Sequence, residues 1–176
     1  MLKSNGRGIW TAIISANAER DPKIFKPFWP KDQGFNHTRS STEYFRMLMA
    51  TGAEQAATNP AYGIFSDLLP GTLAGHGVPR ARTIATFSGN NNAWIVICVS
   101  NETSADTTFL ISRNVDLGKQ VSCTSKVTFV RSPIIQPRNR VSWITCGGDC
   151  FDARPEDVTA ARLFPDTNAT YDVMYP

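Results

Sequence analysis

The chain has 176 residues, 41% of them hydrophobic and 19% charged, which is enough apolar material for one ordinary globular domain and too much for a disordered chain. Its formal charge is +3, and its 18 Lys and Arg are scattered along the sequence, so nucleic acid is not expected as a partner, because phosphate binding needs a basic stripe. No run of about twenty apolar residues occurs, which leaves no segment long enough for a membrane-spanning helix.

The first element is a helix. In "NGRGIWTAIISANAER", Ile9, Ala12, Ile13 and Ala16 recur at the i, i+3, i+4, i+7 spacing of one helical face. Asp21-Pro22 ends it, because proline has no amide to donate and pushes its predecessor out of helical geometry. The stretch has no start signal, which suggests a helix that continues N-terminally. "PKIFKPFWPKDQGFNHTRS" follows, a proline-broken loop anchored by Phe25, Phe28, Trp29 and Phe35. Ser40 and Glu43 then form a capping-box pattern for a short second helix, with Tyr44, Phe45, Leu48 and Met49 on one side and Gly52 as its stop. Residues 53–89 read as an extended surface segment around the apolar island "YGIFSDLLPG".

From residue 90 the pattern becomes strand-like. "AWIVICV" is apolar on both alternating faces, as in a covered central strand, and "TTFLISR" is its antiparallel neighbour. "SKVTFVR" alternates with Val127, Phe129 and Arg131 on one face, and "RVSWITC" leads into a hairpin turned at Gly147-Gly148, both glycines being read as positive-φ positions. "PEDVTAARLFP" places Pro155 in a helical first turn with Glu156 and Asp157 behind it. The expected architecture is α+β in one domain, residues 1–176, with the N-terminal helix laid on one face of an antiparallel sheet. Its sections are the first helix (1–20), a helix-and-loop region (21–89), antiparallel strands (90–154) and a C-terminal helix and tail (155–176).

Candidate chemistry is sparse. Of the four cysteines, Cys146 and Cys150 in "CGGDC" lack the second ligand pair that zinc requires, and the two histidines, His37 and His76, are far apart in sequence. If the hairpin loop were Gly147 to Asp149, Cys146 would face Cys150 and could form a disulfide in an oxidising compartment. There is no Gly-x-Ser-x-Gly elbow and no phosphate-cradling loop, and the paired acids sit at turns and helix starts. "GHG" at 75–77 reads as a turn, and Asn90-Asn91-Asn92 as a polar turn introducing a strand. Asn-x-Ser/Thr sequons stand at Asn36, Asn101 and Asn168. No catalytic residue, cofactor or metal is expected.

Taken in order, "NGRGIWTAIISANAER", "WPK", "STEYFRMLM", "NNAWIVICV", "TTFLISRNVD" and "CGGDCFDARPEDVTAARLFP" resemble the globular domain of type IV pilin-like proteins, in particular the pseudopilins of type II secretion systems. The resemblance covers most of the chain. It implies a pilin-like fold in which Ile9, Ala12, Ile13 and Ala16 pack the soluble half of a long stem helix against the sheet. In that family an apolar helix of about twenty-five residues precedes this half and adds about 35 to 40 Å, enough to cross a bilayer. The resemblance implies a non-catalytic filament subunit of a bacterium, anchored in the inner membrane, with its globular domain in the periplasm or outside the cell. Its partners would be other pilin-like subunits and secretion-system components. Residues 1–176 do not include the family's basic leader, cleavage site or acidic residue near the mature N-terminus. The competing expectation is a secreted or cell-surface module that binds a sugar or peptide through the aromatic loop 25–35, with Trp29, Phe35 and Asn91 as its contact residues.

Overall fold

The computed structural model describes residues 2–23, 25–55, 73–74, 78–130 and 140–176. Most of the expected surface segment at 53–89, the turn at 75–77 with His76, and Arg131 lie outside the described residues.

Helix α1, Leu2–Glu19, buries Leu2, Gly6, Ile9, Ala12, Ile13 and Ala16 and no other residue, so the periodicity in the sequence is the packing face. Helix α2, Ser41–Gln55, starts at the expected capping box: the Glu43 amide donates to Ser40 Oγ at 3.1 Å, and the Ser40 amide donates to Glu43 Oε2 at 2.8 Å. Tyr44, Phe45, Leu48 and Met49 are buried. The expected stop at Gly52 is corrected, since the helix runs through it to Gln55. Glycine in a helix interior weakens the element but does not end it when the surrounding residues propagate the turn.

Among the described residues eight strands follow: β1 Trp94–Ile97, β2 Thr108–Ser112, β3 Val115–Asp116, β4 Gln120–Val121, β5 Thr128–Phe129, β6 Val141–Thr145, β7 Cys150–Ala153 and β8 Tyr171–Met174. Six of them form an antiparallel sheet in the order β4-β8-β1-β2-β6-β7, while β3 and β5 pair separately. Every residue of β1, β2 and β6 is buried, as expected for strands covered on both faces. β8 is a strand that the alternation did not single out. It lies between β4 and β1, so the tail completes the sheet and is not only a helix. The C-terminal helix is also shorter than expected: Pro155–Asp157 is a single 3-10 turn, and a separate α3, Ala160–Leu163, is capped by Thr159.

Register sorts the two faces. Val96, Leu110, Ile144 and Cys150 are cross-strand partners in turn and share one face, while Ile95, Ile111, Trp143 and Phe151 share the other. α1 covers the first. At Gly6 its backbone comes so close that an added Cβ would lie 2.8 Å from both Ile144 Cγ1 and the Trp94 ring. The segment around α3 covers the second face, with Phe164 against Tyr171 at 5.8 Å and the Arg162 guanidinium 5.1 Å over Trp143.

Ile9 and Ile13 are fully buried, and each contributes about 1.5 to 3 kcal/mol by leaving water. Ile13→Asp should therefore abolish the cooperative thermal melt, and an unchanged melt would contradict the helix-on-sheet arrangement. The glycines of α1 make a sharper pair. Gly8 is exposed with nothing within 4 Å of a built Cβ, so Gly8→Ala should stabilise by about 0.5 to 1 kcal/mol through helix propensity. Gly6→Ala meets two buried side chains and should destabilise despite the same propensity gain, because overpacking costs about 1 to 3 kcal/mol. Denaturant melts showing both variants more stable than the parent would refute the close approach.

Candidate functional surface

Opposite its buried stripe, α1 presents an exposed face. Because the buried stripe occupies one side, Lys3, Ser4, Arg7, Gly8, Thr11, Ala18 and Glu19 are exposed on the rest of the helix. The helix is held rigidly beneath that face. The Trp10 indole N–H donates to Cys146 O at 2.8 Å, and the ring lies over Gly148, where a Cβ would come within 2.7 Å of it. Asn5 donates to Ala74 O at 2.9 Å, and Asn17 Oδ1 accepts from the Phe28 amide at 2.7 Å. Polar side chains on the flanks of α1 thus tie it to three different segments, while its outer face keeps Lys3 and Arg7 near one end and Glu19 near the other. Sequence periodicity located the buried stripe but missed Gly6 and Trp10, and Gly148 was read as a turn residue without its contact to Trp10. Two glycines inside a helical pattern were the available signal, since an interior glycine often marks close backbone approach.

The aromatic loop is not a platform. Trp29 and Phe35 are 4% and 6% exposed, which corrects their assignment as contact residues of a binding module. Trp29 packs edge-on against Phe109 at 5.1 Å, and Phe35 against Tyr44 at 5.4 Å. The Tyr44 hydroxyl donates to Phe28 O at 2.8 Å, and burial raises its pKa well above the usual phenol value. Asn91 is also committed: it donates to Pro79 O at 3.0 Å, and its Oδ1 accepts from the Ser88 amide and hydroxyl. Asn92 is buried and joins α2 to β1, donating to Ser41 Oγ at 2.9 Å and accepting from the Trp94 amide at 3.0 Å, while Ser41 donates to Trp94 O at 2.8 Å. The asparagine run is therefore a structural bracket.

The Gly-Gly hairpin is present, with a loop one residue earlier than expected. Ile144 pairs with Cys150, and the Thr145 amide donates to Asp149 O at 3.0 Å, so Cys146, Gly147 and Gly148 form the turn. Cys146 does not face Cys150 across the ladder and all four cysteines are free, so the register removes the condition on which a Cys146–Cys150 disulfide was possible. Of the two glycines only Gly148 has positive φ, at 88°. The Cys146 amide instead donates to Thr107 O at 2.8 Å.

The remaining polar groups among the described residues make separate structural contacts. His37 Nδ1 and Gln120 Nε2 both meet Asp172 Oδ1, at 2.7 and 2.9 Å, tying the loop before α2 to the β4–β8 edge. An open groove of about 570 Å³ is lined by Lys26, Lys31, Asp32, Ser100, Asn101 and Glu102, a mixture of both charges without a facing nucleophile and base. Among the described residues, no three His, Cys, Asp or Glu side chains are grouped to hold a metal, and no helix is long and apolar enough to cross a membrane.

Burial pushes the Cys98 thiol up to about 12, with the charge of Asp172 adding to it, and burial alone pushes Cys146 up to about 12. In the unfolded chain both thiols ionise near about 8.5. The folded state therefore keeps two protons that the unfolded chain releases, and this stabilisation is full below that pH and lost as pH rises toward 12. Urea melts should show stability falling from about pH 9 upward, with a shallower fall in the Cys98→Ala/Cys146→Ala double variant. An identical pH dependence in the double variant would contradict the assignment.

Compared with protein-family models, curated proteins and solved structures, the chain matches none.

Proposed function

We propose that this chain is the globular domain of a pilin-like subunit of a type II secretion pseudopilus or a related type IV pilus-like filament, a structural protein without catalysis. The observation that carries this reading is α1. It is an amphipathic helix fixed along one face of an antiparallel sheet, with its opposite face left open over several turns. A stem helix of a filament has the same two demands, one face for its own globular domain and one for its neighbours. In this reading α1 is the lower half of a stem whose apolar upper half precedes residue 1 and anchors the subunit in the inner membrane. The globular domain then stands in the periplasm or outside the cell, and its partners are further pilin-like subunits and secretion-system components. Recognition lies in interfaces and not in a pocket, in keeping with a groove among the described residues that is open and of mixed charge.

The test is to express the complete gene with a matching prepilin peptidase and fractionate the cells. The expected product is a processed, membrane-associated protein that is extracted only with detergent, because an apolar helix satisfies its backbone internally and partitions into lipid. Unprocessed, monomeric protein confined to the cytosol would overturn the proposal.

A further inference from the structure

The sequons at Asn36, Asn101 and Asn168 are each chemically able to accept an asparagine-linked glycan. An enzyme acting on a folded chain must reach both the asparagine amide and the hydroxyl two residues later, and on that ground the three sites differ. Asn36 is half-buried, and its Oδ1 accepts from the Thr38 amide at 2.9 Å and the Thr38 hydroxyl at 2.6 Å, so acceptor and hydroxyl are closed on each other. Asn101 is exposed, but its backbone amide is strapped to Asp32 Oδ2 at 2.8 Å, and Thr103 Oγ1 accepts from the Ser100 amide at 2.9 Å within a tight turn.

Asn168 lies in the connection from α3 to β8, where Pro165, Asp166, Thr167, Asn168 and Thr170 are all exposed. Among the described residues, nothing hydrogen-bonds the Asn168 side-chain amide or the Thr170 hydroxyl. Asp166 stands two positions before the acceptor, and its Oδ1 accepts from the Asn168 backbone amide at 2.9 Å, which holds the asparagine in a turn. The corresponding positions before the other two sequons are Gly34 and Val99.

We propose that Asn168 is an N-glycosylation site, modified on the folded chain by an oligosaccharyltransferase of the class that requires an acidic residue two positions before the asparagine. The donor is an oligosaccharide linked to a lipid pyrophosphate. The Asn168 amide nitrogen attacks the anomeric carbon, the new C–N bond forms as the C–O bond to pyrophosphate breaks, and the lipid pyrophosphate leaves with the electron pair. The amide proton passes to the enzyme or solvent, and nothing is oxidised or reduced. Because such enzymes act on the far side of the membrane from the cytosol, the proposal rests on the extracytoplasmic placement of the filament reading.

The full-length protein would be recovered from the cells that produce it, with cytosol and envelope separated, and its three sequons mapped by peptide mass spectrometry beside Asn168→Gln and Asp166→Ala. The expected result is a glycan mass on the Asn168 peptide of the envelope protein, lost completely in both variants, with Asn36 and Asn101 bare and the thermal melt of Asn168→Gln unchanged. Glycan retained in Asp166→Ala overturns the acidic-residue requirement. Envelope protein bare at Asn168, or modified only at Asn36 or Asn101, overturns the site and leaves the filament reading standing. Bare protein found in the cytosol overturns both.

Discussion

The structure turns on the contact between the backbone of α1 and the side chains of Trp94 and Ile144 at Gly6. A Cβ at this position would force the helix or the two side chains to shift, and Ile9 and Ile13 are buried further along the same helix. Trp94 is fully buried on β1 and Ile144 on β6, two strands separated by β2, so the helix crosses the sheet and does not merely flank it. A second fixed point lies one turn on, where Trp10 sits over Gly148 and donates to Cys146 O. Close approach in the first contact and a hydrogen bond plus ring packing in the second define both the height and the rotation of α1. That rotation decides which residues face out.

The sheet beneath is shaped to receive the helix. Its central strands are buried on both faces, and neither face could be left to solvent without exposing Ile and Trp side chains. α1 covers one, and the return of the chain through α3 into β8 brings Phe164 and Arg162 to the other. Because β8 is inserted between β4 and β1, the last residues of the chain hold the sheet's edge strand in place. The Ser41–Asn92–Trp94 hydrogen bonds then fix α2 to β1 at the same tryptophan that meets Gly6. The first helix, the second helix and the sheet thus share one buried residue.

Where the physics is local, the sequence was readable. The α1 stripe, the Ser40/Glu43 capping box, β1, β2 and β6 all follow from periodicity or cap chemistry acting over a few residues. The failures come where distant parts decide. Trp29 and Phe35 could have been platforms or anchors, and Phe109, far along the chain, together with Tyr44 on the following helix, settles them as anchors. The Cys146–Cys150 register depended on a one-residue shift of the turn, which local residue types do not fix when two adjacent glycines are available. β8 went unrecognised because four residues of mixed polarity are too few to show alternation, and only its place between β4 and β1 makes it a strand. The outer face of α1 was implied by its inner one, but that it stays uncovered is a tertiary fact.

If the chain is the filament subunit proposed above, the exposed face of α1 would be its assembly surface, held in orientation by the glycine contact below it. The most direct measurement is photocrosslinking in producing cells, with a photoreactive residue introduced at Thr11 of the full-length chain and, as a control, at Gln120 on the far edge of the sheet. As the proposed filament subunit, the chain should give adducts between its own copies, or with a pilin-like partner, from Thr11. A Thr11 probe that crosslinks to no other subunit, in protein that is folded and abundant, would contradict that proposal.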